Sequence, residues 1–124
     1  MNSFLDKEFI YAIIGATQKK DKYGYKVLMD LRQKGYNAVP INPKYEEIDG
    51  LKCYPSLLDL DDRPDVVVVV TPPEVSLKIV DECDNLNLDK IWFQPGASDE
   101  EVIKACQDKM INKMADICIM QATE

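Results

Sequence analysis

Residues able to hold a ligand gather in four short stretches. The first, "GATQKKDKYG" (residues 15–24), sets Gly15 ahead of the lysines Lys19, Lys20 and Lys22. Gly15 has no Cβ and lets a phosphate approach the backbone, while the ammonium groups act on it as point charges. The second, "PINPK" (residues 40–44), places Asn42, Pro43 and Lys44 where a dinucleotide-binding fold sets an acid for the ribose hydroxyls. A carboxylate there repels a phosphorylated ribose, whereas an amide and an ammonium accept it. This favours a nucleotide with a ribose phosphate, the 3′-phosphate of coenzyme A or the 2′-phosphate of NADP. The other two, "TPPE" (residues 71–74) and "QPGAS" (residues 94–98), are stiff turns. Proline holds backbone groups in place at low entropic cost, which suits a slot for an adenine or a pantetheine arm.

Each stretch also has a plainer reading. A solvated polar turn accounts for the first, and an ordinary Asn–Pro turn for the second. The G-x-G-x-x-G fingerprint is absent, and the glycine following Gly15 is Gly24. Tyr23, Tyr25, Tyr45 and Tyr54 offer faces on which adenine can stack, although tyrosines packed beneath loops are commoner.

Groups for catalysis are scarce. The chain has no histidine, which excludes Ser–His and Cys–His pairs, histidine metal ligands and a phosphohistidine intermediate. Cys53, Cys83, Cys106 and Cys118 are scattered without C-x-x-C spacing. Neither a zinc site nor a redox dithiol is expected, only free and mostly buried thiols. Glu74 reads as a first-turn helix charge rather than a general base. The expectation is a binding protein with no catalytic residue and no metal, hence not an enzyme.

The elements that must position these stretches follow from periodicity. "FIYAIIGAT" (Phe9–Thr17) is a buried strand running into a turn, and "YGYKVLMDLRQKG" is a helix with Gly35 as its stop. "NAVPIN" reads as a second strand. "DVVVVVT" (Asp65–Thr71) carries five consecutive valines, a run that only a sheet covered on both faces buries comfortably. Pro72 and Pro73 pre-set the helix after it, in which Val75, Ile79, Val80 and Cys83 are expected on one face. "KIWFQ" is a fourth strand with Trp92 and Phe93 in the core. Ser98 reads as the cap of the next helix, with Glu101 completing a capping box, and a last strand is expected in "KMADICIM". Strands alternate with helices throughout, except over residues 43–64. The fold class predicted is α/β, a Rossmann-like doubly wound, mostly parallel sheet with helices on both faces, in a single domain over residues 1–124. All four loops should then line the carboxyl edge of that sheet.

Charge sharpens the picture. The net charge is −7, which argues against nucleic acid as a partner. Residues 1–44 nevertheless hold eight Lys/Arg against four Asp/Glu, so the cations gather in the part carrying the first two loops. No apolar run approaches the roughly 20 residues that span a bilayer, and the start "MNSFLDKEF" is unlike a secretory signal. A cytoplasmic protein without membrane contact is expected.

Taken in order, "AIIGAT", "KYGYKVLMDLRQKGYNAVPINPKYEEIDGLKCYPSLLDL", "DVVVVVTPPE", "IWFQPGA" and "CIM" resemble the small CoA-binding-domain proteins. These are stand-alone relatives of the nucleotide-binding domain of the succinyl-CoA synthetase α subunit. The likeness runs from about residue 9 to residue 120. It implies a Rossmann-like fold that binds coenzyme A or an acyl-CoA without catalysis of its own. It also implies a role for each site residue. Gly15, Ala16, Thr17 and Lys22 would surround the pyrophosphate, and Asn42, Pro43 and Lys44 the ribose phosphate. Thr71, Pro72 and Pro73 would border adenine or pantetheine, with Gln94, Pro95 and Gly96 as the facing turn. A homodimer or a larger ligase partner is compatible with this likeness. The alternatives are an NADP- or NAD-binding Rossmann oxidoreductase or redox sensor, and a nucleotide-binding subunit of an acyl-CoA ligase.

Overall fold

The computed structural model describes residues 3–123. Five strands build its main sheet: β1 (Ile10–Ile14), β2 (Asn37–Ile41), β5 (Val66–Val69), β6 (Lys90–Phe93) and β7 (Asn112–Ala115). They lie in the order β2-β1-β5-β6-β7 and every pairing is parallel. Ile13 sits opposite Pro40 on one side and Val68 on the other, and Val68 in turn opposite Trp92. The central valines Val66, Val67, Val68 and Val69 are all fully buried, as a strand covered on both faces requires. Pro40 lies in the edge strand β2, where its missing N–H removes no ladder bond.

Alternation along the strands splits the core in two. Tyr11, Ile13, Val68 and Trp92 pack with α1 (Tyr23–Gln33) and the short α4 (Ile119–Ala122). Ala12, Ile14, Val67, Val69 and Phe93 pack on the opposite face with α2 (Pro73–Asn85) and α3 (Glu100–Asp108). This is the doubly wound, Rossmann-like α/β architecture read from the alternating pattern. The chain leaves β1 toward β2, then crosses back past β1 to β5. Strand order therefore reverses between β1 and β5, and ligands in such sheets sit at that point.

Residues 43–64, where the alternation breaks, form a hairpin and a single 3-10 turn. The hairpin pairs β3 (Glu47–Ile48) with β4 (Leu51–Lys52) through Asp49 and Gly50, at φ 49° and 81°. Two successive left-handed residues are what a type I′ turn demands. Tyr54 then forms one parallel bridge with Ile41, and the 3-10 turn spans Leu57–Asp59.

Three expectations need correction. Asp99 rather than Ser98 caps α3, its carboxylate accepting from the Val102 N–H at 3.0 Å. The last strand, Asn112–Ala115, does fall at the start of the stretch expected for it, but it ends there, and Cys118 to Met120 turn into α4. On α2 the buried row is Ser76, Val80 and Cys83, while Val75 is exposed and Ile79 half-buried. Among the described residues, no helix is long and apolar enough to cross a membrane.

Candidate functional site

Two glycines shape the edge of the sheet at the reversal. Gly15 follows β1 at φ 95°, and a Cβ there would lie 2.9 Å from the Val70 carbonyl oxygen and 3.2 Å from Thr71 Cγ2. The loops after β1 and β5 thus touch at this residue. Gly24, in the first turn of α1, is tighter still, because a Cβ would lie 2.1 Å from the Gly15 carbonyl oxygen. Together they supply a sharp turn and a close helix–strand approach, two of the tasks that the dinucleotide fingerprint assigns to its glycines. Sequence reasoning noted Gly24 and missed this role; its place in the second helical position was the available signal.

The loop between these glycines is rich in donors. Among the described residues no acceptor meets the N–H groups of Ala16, Thr17 or Gln18. Lys22 is the N-cap of α1 and Pro72 that of α2, and neither brings a side-chain cap. By contrast, α3 is capped by Asp99 and begins with Glu100 and Glu101. Of the two helices that start beside the reversal, α1 has no acidic residue in its first turn and presents an open N-terminus to an anion, whereas α2 begins with Pro73, which has no N–H, and carries Glu74 in its first turn. Lys19, Lys20 and Lys22 are exposed around them, with no carboxylate partner among the described residues.

Asn42 ties the end of β2 to this loop. Its Nδ2 donates to the Ala16 carbonyl at 2.8 Å, and its Oδ1 accepts from the Lys44 N–H at 2.9 Å. The amide expected to meet a ribose phosphate is engaged on both sides by backbone and acts as a positioning group. It holds the turn that presents Pro43 and Lys44. Lys44 is exposed and has no carboxylate partner among the described residues, so it is the free cation at this strand end.

Two clefts open along the edge. The first, about 500 Å³, runs from Gly15 and the Asn42–Lys44 turn to Ser56 and Leu57, with α2 as its far wall. The second, about 440 Å³, lies between Tyr23, the Thr71–Pro73 turn and the Pro95–Ala97 turn. Thr71 borders both, and its Oγ1 lies 2.9 Å from the hydroxyl of the buried Ser76. Each volume falls in the range of small-molecule sites.

Of the residues singled out in the sequence, Gly15, Asn42, Pro43, Lys44 and Thr71 line the first cleft. Thr71, Pro72, Pro73, Pro95 and Gly96 line the second. Ala16 is fully buried, and Thr17 Oγ1 lies 2.9 Å from the Tyr45 hydroxyl. Lys22 and Gln94 border neither cleft. Gln94 is buried, with its Oε1 accepting from the Ile119 N–H at 3.0 Å and its Nε2 without a hydrogen-bond partner among the described residues, so one end of the amide anchors α4 and the other is unpaired. The α2 wall of the first cleft, Val75, Lys78, Ile79 and Glu82, was not foreseen. Of the four residues expected on one face of α2, Val80 and Cys83 are buried, Ile79 packs against the same core from the cleft wall, and only Val75 is exposed, because helical spacing alone does not reveal where an apolar row meets its margin.

Burial holds one tyrosine hydroxyl and two thiols in their neutral forms. Burial, then a hydrogen bond to Cys118 Sγ, raises the Tyr23 hydroxyl far above its ordinary range and keeps it a proton donor. Burial likewise pushes the Cys83 thiol up to about 12 and Cys106 up to about 11, so neither forms a thiolate near neutrality. Two further tyrosine hydroxyls are tied to carboxylates, Tyr25 to Asp49 and Tyr54 to Asp61. Among the described residues, no cluster of Cys, Asp and Glu is placed to hold a metal ion.

Known proteins resemble the chain as follows. The sequence model of a family described as a CoA binding domain matches residues 10–124. An ADP-forming acetate–CoA ligase from Methanocaldococcus jannaschii is 46% identical over 72 residues, covering 58% of this chain and 10% of the ligase. The chain spans about a tenth of the length of such ligases. A conserved hypothetical protein from Pyrococcus furiosus matches with a TM-score of 0.88 and 40% identity, over 93% of this chain and 98% of its own. The apo dinucleotide-forming acetyl-coenzyme A synthetase 1 of Ca. Korarchaeum cryptofilum matches with a TM-score of 0.72 and 27% identity, over 84% of this chain and 25% of the synthetase.

Proposed function

The chain belongs to the CoA binding domain family, and on that footing we propose that it binds coenzyme A or an acyl-CoA and performs no chemistry on it. The observation that carries this reading is the pair of clefts meeting at Thr71, directly beside the open N–H groups that follow Gly15. Phosphate oxygens accept from such donors, and the field of the α1 N-terminus favours their charge. Lys44 suits a ribose phosphate at the end of β2. The apolar first cleft suits a purine, and the second, walled by Tyr23 and prolines, suits an extended arm. The absence of histidine and the protonated, buried Cys83 and Cys106 support binding without turnover.

Calorimetric titration with CoA, NADP and NAD tests the reading. CoA should bind tightest, and tighter binding of either dinucleotide would overturn it. A second reading, a CoA-holding part of a larger ligase, draws on the match to a tenth of an acetate–CoA ligase. On that reading the pure protein still turns over no acyl-CoA, and a catalytic partner is needed. Turnover by the pure protein with ADP and phosphate would refute both.

A further inference from the structure

Glu82 is an unexpected group in a cleft that takes an anion. It stands half-buried in the α2 wall of the first cleft, one turn beyond Lys78. Its Oε1 accepts from the Leu57 N–H at 3.3 Å, and no ion pair neutralises it among the described residues. The cleft around it joins the apolar Leu57, Val75 and Ile79 to Ser56 and Lys78, and Lys78 makes no ion pair with it. A carboxylate partly removed from water beside a phosphate would be strongly disfavoured. The phosphate donors, however, lie at the sheet edge where α2 begins. Glu82 is nine residues past Pro73, about 13 Å along the helix at 1.5 Å per residue. That offset is comparable to the length of a nucleoside.

On the reading of the site as a CoA site, we propose that Glu82 selects the base. Its second carboxylate oxygen accepts from the exocyclic amino group of a 6-aminopurine laid between Leu57 and Ile79. A partly desolvated acceptor penalises any base that leaves it without a donor, which makes the contact a source of specificity.

A double-mutant cycle tests this, pairing the parent and Glu82→Ala with CoA and its analogue in which hydrogen replaces the 6-amino group. The parent should bind the analogue about tenfold or more weakly, the range for a hydrogen bond to a charged group. Glu82→Ala should bind the two within about threefold of each other. Glu82→Gln keeps an oxygen for the Leu57 N–H and turns an NH₂ toward the base, so it should lose the preference at near-parent thermal stability. It carries the cycle if the alanine variant does not fold. If Glu82 served only to hold Leu57, substitution would lower stability and weaken both ligands alike. A ratio unchanged from the parent would overturn the assignment to the base. Failure of the parent to bind CoA at all would instead overturn the proposed function.

Discussion

Replacing Gly24 by alanine sets helix propensity against packing, and the two predict opposite signs. Gly24 lies inside α1, where alanine is favoured over glycine by roughly 0.8–1.0 kcal/mol. The added methyl, however, would lie 2.1 Å from the Gly15 carbonyl oxygen, well inside van der Waals contact. That oxygen is backbone and cannot swing aside, so α1 must shift by about 1 Å or the loop must deform. Overpacking of this kind costs about 1–3 kcal/mol and sometimes more. A 2.1 Å approach to backbone falls in the upper half of that range, about 2–3 kcal/mol, so the net expectation is a destabilisation of about 1–2 kcal/mol, read from the urea midpoint at unchanged m. At roughly 2.1 cal/mol/K of unfolding entropy per residue, a chain this long should lose about 4–8 °C of Tm. CoA affinity should fall with it, because the displaced carbonyl belongs to the loop whose open N–H groups are proposed to meet the phosphates. Urea denaturation and calorimetric titration on one preparation measure both effects. A Gly24→Ala protein that is more stable than the parent and binds CoA equally well would refute the close-approach argument.

Lys44→Ala should weaken CoA by about 1.5–3 kcal/mol, as for a charge-assisted contact, yet leave dephospho-CoA nearly unaffected; titration of both ligands shows whether the loss follows the 3′-phosphate. Lys22→Ala should matter less, since Lys22 is exposed and borders neither cleft. A loss below about 1 kcal/mol that disappears in high salt is expected from calorimetry at two ionic strengths. Alkaline pH should destabilise the fold. Burial raises Cys83 from 9.0 to about 12, so between those values the unfolded chain releases a proton that the native state keeps. Its contribution is intact below pH 9 and is lost as pH rises toward 12, with a slope of at most about 1.4 kcal/mol per pH unit. Urea midpoints at pH 7.5 and 10.5 check this, and an unchanged midpoint would contradict it.

Much of the fold was legible because its signals are local. Val66 to Val69 identify a doubly covered strand by composition alone, and Gly35 ends α1 at φ 92° as a helix stop should. The shared sheet edge of the four candidate loops followed from the alternation of elements. Where two neighbouring residues were equally suited to one task, the letters did not choose. Ser98 and Asp99 are both good caps, and only the path of the chain after β6 puts the carboxylate of Asp99 on the Val102 N–H. The same limit applies to the rotation of α2. Its Pro72–Pro73 start and the Thr71–Ser76 contact turn Ser76, Val80 and Cys83 toward the sheet, leaving Val75 and Ile79 to wall a cleft. Asn42 and Gln94 read as ligand groups from their neighbours in the chain, yet Asn42 Nδ2 and Gln94 Oε1 meet backbone groups 26 and 25 residues away. Helical and strand periods describe which side chains share a face. Which backbone group an amide meets depends on distant segments packed together, and tertiary structure alone supplies that.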